Sequence, residues 1–287
     1  MQKKHVLIMG CGGYGKWILH MIDKTKAEPI AFIDNNAIKL RKESPNETFF
    51  GLPCIHPEEL KQSDLKYDII ILSIPNYYNE MREQLISLGV SKDKIVDFNM
   101  AESFIYKDVR IAYATHCLSI IKERNILGDM AEVGVYRGEF SSHLNAFFPS
   151  KKLFLFDTFE GFPEKDIKNI KLWGEDFSKT SINQVINNMP YKESCIVAKG
   201  YFPDSIPKNI SQNFCFVSLD ADLYEPIYNG LKYFWPKMSK GGYIFVHDYG
   251  TYGWPGVKKA VDQFCNENNI SFVPIFDRCL SVIFTKN

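Results

Sequence analysis

The chain has 287 residues, 34 Lys+Arg balanced by 34 Asp+Glu, 45% hydrophobic and 24% charged residues. Zero formal charge excludes broad electrostatic attraction to nucleic acid or an anionic membrane surface. The composition is that of an ordinary globular protein, and at about 100–200 residues per domain the length predicts two domains. The seven cysteines (Cys11, Cys54, Cys117, Cys195, Cys215, Cys265, Cys279) are scattered, odd in number and form no C-x-x-C pair, which argues against a disulfide framework or a zinc site. The apolar run after Lys3-Lys4 is too short for a secretory leader. No stretch reaches the ~18 apolar residues of a membrane helix, so a cytoplasmic protein is expected.

In chain order, residues 6–9 predict a strand and 14–23 a helix, with Trp17, Ile18 and Met21 at helical spacing. Residues 29–34 predict a second strand and 67–73 a third, apolar enough to be buried on both faces. A helix over 77–88 ends at Gly89, and 94–97 closes the unit. After a helical connector at 109–124 the pattern restarts, with strands expected at 130–135, 152–157, 194–198, 214–220, 242–248, 271–276 and 280–284. The expected class is α/β, as two consecutive Rossmann-like, doubly wound sheets, the first in residues 1–107 and the second in 108–287. The second sheet is mostly parallel and ends in a β-hairpin.

Gly10-Cys-Gly12-Gly-Tyr-Gly15 fits G-x-G-x-x-G between a predicted strand and helix, and Asp34 ends the next strand. Glycines there let backbone approach a phosphate at a helix N-terminus, and the acid can bond a ribose. Gly10, Gly12, Gly15 and Asp34 are therefore a candidate nucleotide site, the alternative being a tight turn that binds nothing. With Ile33-Asp-Asn-Asn36, Gly51-Leu-Pro53 and His56-Pro-Glu-Glu59, residues 3–97 resemble the nucleotide-sugar-binding domain of bacterial sugar acyltransferases. That resemblance implies a nucleotide-sugar or NAD(P) ligand. No obvious hydride-transfer constellation, such as a Tyr-x-x-x-Lys pair, is placed directly after this sheet.

A second loop, Glu132-Val-Gly134-Val135-Tyr136-Arg137-Gly138, opens on the strand beginning at 130, and Asp157 ends the following strand. It resembles the strand-one loop of class I methyltransferases, with Asp157 placed to accept a ribose diol; a second dinucleotide fold is the alternative. Phe156-Asp-Thr158-Phe159-Glu-Gly-Phe-Pro163, Lys199-Gly200-Tyr-Phe202-Pro-Asp-Ser205, Ser218-Leu-Asp220-Ala-Asp222-Leu-Tyr-Glu225 and Gly241-Gly-Tyr-Ile-Phe-Val-His247-Asp248-Tyr249 follow in order. Together these motifs, over residues 108–287, resemble the macrocin/mycinamicin O-methyltransferase family.

That resemblance implies S-adenosylmethionine, Mg²⁺ or another divalent metal, a sugar hydroxyl on a nucleotide-linked or natural-product acceptor, and a homo-oligomer. It carries the metal to Asp220, His247 and Asp248, with His247 standing where the family usually has Asp and Asp222 as a replacement ligand. Asp220, then His247, are the catalytic base candidates. Glu132, Gly134, Val135, Tyr136, Arg137, Gly138, Asp157, Thr158, Phe159, Gly200, Phe202 and Asp220 are expected to hold the cofactor. Other readings are a helix N-cap for Asp220 and Asp222, a packed structural role for His247, a surface ion pair for Arg137, and packing for Tyr249, Tyr252 and Trp254. The insertion at 164–190, with Trp173 and Phe177, is expected to cover the acceptor. The rival functions are methylation of a phosphate-type or phenolic oxygen, NAD(P)-dependent oxidation through the first loop, and non-catalytic binding.

Overall fold

The computed structural model describes residues 3–43, 48–61, 63–97, 101, 108–163, 177–251, 253–277 and 279–287. The chain divides into two compact units, Met1–Lys107 and Asp108–Asn287. No described helix is long and apolar enough to cross a membrane.

The first unit contains β1 (Lys4–Met9), α1 (Gly13–Met21), β2 (Ala27–Ile33), α2 (Ala37–Glu43), β3 (Thr48–Phe49), β4 (Leu52–Ile55), β5 (Ile69–Leu72), α3 (Tyr78–Ser87) and β6 (Ile95–Asp97). Its sheet order is β3-β4-β2-β1-β5-β6, parallel except for β3. The β3–β4 hairpin and α2 are additions to the sequence reading. Phe50 (φ 50) and Gly51 (φ 82) both adopt left-handed backbone between Thr48↔Pro53 and Phe49↔Leu52 pairs, the twist a two-residue hairpin needs. The turn is hard to read because Phe occupies a position where Asn or Asp is the usual signal.

The second unit contains α4 (Val109–Glu123), β7 (Asp129–Val133), α5 (Glu139–Phe147), β8 (Leu153–Asp157), α6 (Ile182–Asn188), β9 (Cys195–Lys199), β10 (Phe214–Leu219), α7 (Tyr224–Phe234), β11 (Met238–Val246), α8 (Pro255–Asn268), β12 (Val273–Pro274) and β13 (Val282–Thr285). Sheet order is β12-β13-β11-β10-β7-β8-β9. The five strands β7 to β11 run parallel, β13 runs antiparallel to β11, and β12 pairs antiparallel with β13. All six residues of β10 are buried, as expected of a central strand covered on both faces.

Strands are added outward from β7 through β8 to β9 on one side and from β10 to β11 on the other, so the winding order reverses between the parallel neighbours β7 and β10, and the carboxyl ends flanking such a switch are where open α/β sheets bind ligands. Several predicted lengths change, two of them for a visible reason. Strand β11 begins at Met238, because its Gly242 lets the strand approach the Cys215 carbonyl, where a Cβ would sit at 2.9 Å. Strand β12 is only two residues, ending at Pro274, which has no amide to extend the ladder.

Candidate active site

A cavity of about 370 Å³ lies at the carboxyl ends of β7 to β11. Its floor is the loop after β7. Gly134 there has φ +85, and a Cβ on it would stand 2.0 Å from the Asp220 carbonyl oxygen. Only glycine permits this approach of two strand ends. Tyr136 (φ 49), Asp222 (φ 59) and Asp248 (φ 60) also line the cavity in left-handed backbone. Such conformations cost of order 1–3 kcal/mol each and cluster where function demands them.

Asp157 closes the loop. Its Oδ2 accepts from the amides of Val135 and Tyr136, both at 2.8 Å, and Oδ1 accepts from the Phe159 amide at 2.7 Å. The Thr158 hydroxyl also approaches Oδ1, at 3.5 Å, so both oxygens are engaged. Asp157 thereby organises the loop that lines the cavity. Asp34 acts similarly in the first unit, accepting from the Cys11 amide at 2.9 Å and the Asn36 amide at 2.8 Å.

Of the other expected cofactor residues, Glu132, Gly134, Val135, Tyr136, Arg137, Thr158, Gly200, Phe202 and Asp220 all line the cavity. Gly138 and Phe159 are not among the cavity-lining residues. Gly138 is the N-cap of α5 and faces Met189 and Val185, away from the cavity lining. Phe159 is 6% exposed and packs into the core around Val185 and Met189; only its backbone serves the loop. Neither Asp220 nor Asp222 caps α7, whose N-cap is Leu223 without a side-chain bond. Tyr249 bonds Asp262 at 2.8 Å and packs on Phe272, a structural role, while Tyr252 lies outside the described residues.

The polar end of the cavity is a cluster of six side chains. Asp220 Oδ2 lies 2.6 Å from Arg110 Nη1, and its Oδ1 lies 2.8 Å from His247 Nδ1. The same nitrogen is 2.6 Å from Asp248 Oδ2. Asp220, Asp222 and Asp248 bring ligand atoms within 4.8 Å of one another, as do His247, Asp248 and Cys279. Arg110 and Cys279 are additions to the residues expected from sequence. Arg110 comes from the first turn of α4, 110 positions from Asp220, and stacks on the Phe140 ring. No local pattern marks either residue.

Burial opposes ionisation of Asp220, but the neighbouring His247 and Arg110 overcome it and hold the carboxyl below its usual range. For His247, burial favours the neutral ring, yet the Asp220 charge prevails and the imidazole is pushed up to about 12. Burial first, then the charges of Asp220 and Asp248, raise Asp222 well above the ordinary carboxylate range. Three carboxylates packed this closely with an imidazole are a donor set that fits a divalent cation.

Glu132 is 1% exposed and accepts from the Ser141 hydroxyl. It is pushed up to about 8 by burial, against the Ser141 bond and with the Asp220 charge adding to the rise. The folded state therefore keeps this proton longer than the unfolded chain. Stability from this group is full below about pH 4.5 and declines as pH rises toward 8. Glu132→Gln should match wild type near pH 4.5 and exceed it by roughly 1–3 kcal/mol at pH 8. Calorimetric melting at both pH values checks this, and a variant less stable at pH 8 would contradict it.

An aromatic wall completes the cavity. Phe162 lies 5.0 Å from Phe177 and 5.5 Å from Trp254 between ring centroids, and Tyr136 lies 5.4 Å from Phe177. Thus Phe177 of the insertion reaches the site, and the Thr180 hydroxyl donates to the Tyr136 carbonyl. The rest of the insertion is not all cover: α6 buries Val185 in the core, and residues 164–176, with Trp173, lie outside the described residues.

In the first unit, Gly10 (φ +103) and Gly15 are needed for packing, since a Cβ on Gly15 would lie 1.9 Å from the Gly10 carbonyl oxygen. A Cβ on Gly12 would meet nothing within 4 Å, so its face is open.

The sheet order and the glycine loop at its switch point are those of a class I methyltransferase. Residues 97–278 match the family described as Macrocin-O-methyltransferase (TylF), and the chain belongs to that family. Residues 2–96 match the C2185-like N-terminal family. The chain is 26% identical to the demethyldecarbamoylnovobiocin O-methyltransferase of Streptomyces niveus over 171 residues, covering 54% of this chain and 64% of that protein. It is 24% identical to the 8-demethyl-8-(2,3-dimethoxy-alpha-L-rhamnosyl)-tetracenomycin-C 4'-O-methyltransferase of Streptomyces olivaceus over 156 residues, covering 49% and 60%. The chain thus spans less than two thirds of the length of these curated relatives. The solved structure of the O-methyltransferase NovP shares the fold, with a TM-score of 0.51 at 23% identity, covering 60% of this chain and 77% of that one.

Proposed function

We propose that the second unit is an S-adenosylmethionine-dependent O-methyltransferase acting on a hydroxyl of a sugar carried by a small molecule, with a divalent cation at Asp220, His247 and Asp248. The observation that carries this reading is the convergence of the Glu132–Gly138 loop and the Asp220/His247/Asp248 group on one cavity. The names of relatives that methylate natural products, one of them on a rhamnosyl derivative, support the acceptor class.

Methyl transfer from a sulfonium is an in-line displacement in which the hydroxyl oxygen forms the new C–O bond, the S–C bond breaks and the hydroxyl proton leaves. The loop from Gly134 to Arg137 holds the donor, and holding donor and acceptor in line supplies much of the rate. Asp220 is ionised and placed to take the proton, but Arg110 and His247 make it a weak base. His247 is the stronger base only as neutral imidazole, and its carboxylate neighbours oppose that form. A divalent cation, when bound, makes the acceptor hydroxyl more acidic, so that a weak base suffices. Phe162, Phe177 and Trp254 offer the apolar face of a sugar ring a stacking surface and exclude water.

For the first unit we propose a phosphate-bearing ligand, a nucleotide sugar or NAD(P), at Gly10, Gly12, Gly15 and Asp34. The open face of Gly12 supports it, as does the buried Ser73 hydroxyl beside Gly10, which has no hydrogen-bond partner among the described residues. The test of the main reading is transfer of labelled methyl from S-adenosylmethionine to a panel of nucleotide-linked sugars and phenols. Label in a sugar that is lost on chelation supports the proposal; label in a phenol alone would overturn the acceptor class.

A further inference from the structure

The connection between β12 and β13 brings a thiol into the cavity that the proposed transfer does not use. Its path is fixed by the buried Asp277, whose Oδ1 accepts from the amides of Cys279 at 3.2 Å and Ser281 at 2.9 Å. The Ile275 amide bonds the Ser281 carbonyl at 2.9 Å, and Leu280 takes left-handed backbone (φ 49), a strained choice for a branched side chain. This tight loop aims Cys279 at the site. The sulfur, one ring nitrogen of His247 and a carboxylate oxygen of Asp248 lie within 4.8 Å of one another. His247 Nδ1 is shielded from solvent and makes no aligned hydrogen bond, although two carboxylates approach it. Between those two carboxylates the nitrogen carries a proton that a bound cation would replace.

We propose that His247, Asp248 and Cys279 make this a mixed nitrogen, oxygen and sulfur site that takes a borderline divalent cation, of the Zn²⁺ or Co²⁺ kind, in preference to Mg²⁺. The inference rests on the reading of this cavity as a divalent-cation site and specifies its occupant. Mg²⁺ demands oxygen ligands and holds its waters, whereas imidazole and thiolate favour later transition metals and zinc. Binding would replace the proton on the ligating His247 nitrogen and convert the Cys279 thiol to a thiolate, and both protons go to solvent. Asp220 and Asp222 bring further oxygens within 4.8 Å of the Asp248 carboxylate.

The test is a Co²⁺ titration of the chelator-stripped full-length protein, read by absorbance. The expected result is a thiolate-to-cobalt charge-transfer band in the near ultraviolet that a large molar excess of Mg²⁺ does not remove. Cys279→Ser should abolish the band and weaken Co²⁺ binding at least as much as the ~10–100-fold that outer-shell partners are worth. His247→Asp should let Mg²⁺ displace Co²⁺. Co²⁺ binding without the band, an unchanged band in Cys279→Ser, ready displacement by Mg²⁺ from wild type, or no Co²⁺ binding would each overturn the proposal. The Mg²⁺ competition on wild type needs no variant to fold. S-adenosylhomocysteine calorimetry on the same sample separates the two readings: if it binds while the cobalt result fails, only the metal assignment falls.

Discussion

Asp220→Ala should destabilise the second unit by about 3–5 kcal/mol and remove methyl transfer. The carboxylate is the ion-pair partner of Arg110, at 2.6 Å, and the Arg110 side chain is only 11% exposed. Truncation would leave a guanidinium largely out of water over the Phe140 ring without its ion-pair partner, and His247 without one of its two carboxylates. The penalty comes mainly from stranding the charge, so the double variant Arg110→Met/Asp220→Ala should regain much of the stability while staying inactive. Calorimetric melting of the single and double variants checks this. Equal losses in both would mean that the pair is not coupled as described.

Gly134→Ala should be nearly as damaging, costing on the order of 3 kcal/mol or more, with loss of cofactor binding. The added methyl would require left-handed backbone from alanine and would meet the Asp220 carbonyl at 2.0 Å. Neither side can yield easily. The Gly134 amide bonds the Phe156 carbonyl at 2.9 Å, and the Asp220 amide bonds the Val133 carbonyl at 2.8 Å. Gly12→Ala in the first unit is the contrasting case, because a Cβ there meets nothing within 4 Å; its stability should change by no more than about 0.5 kcal/mol. Denaturant melts of the two variants distinguish a packing glycine from an open one, and similar melts for both would contradict the account.

The parallel sheets are legible in the sequence because buried strands write themselves as apolar runs, β8 and β10 most plainly. Strand ends then locate Gly134, Asp157, Asp220, His247 and Asp248, since a doubly wound sheet gathers its carboxyl ends. What escapes depends on tertiary packing. Arg110 looks like any solvent-facing residue of a connector helix until α4 brings it beside Asp220. Cys279 is one scattered cysteine among seven until Asp277 folds its loop. Phe159 and Gly138 sit in the right motifs, but the backbone turns their side positions toward Val185 and Met189. The place of Asp157 is legible and its bonding is not, because sequence gives the position of a carboxylate and not the three amides that reach it first.

The most direct test of the central claim is calorimetric titration of the full chain with S-adenosylhomocysteine, beside Asp157→Ala. The account predicts saturable one-site binding to wild type and a loss of about 100-fold or more in the variant, because three loop amides lose their acceptor. Absence of binding to wild type, with saturable NAD binding in its place, would contradict the account and move the chemistry to the first glycine loop.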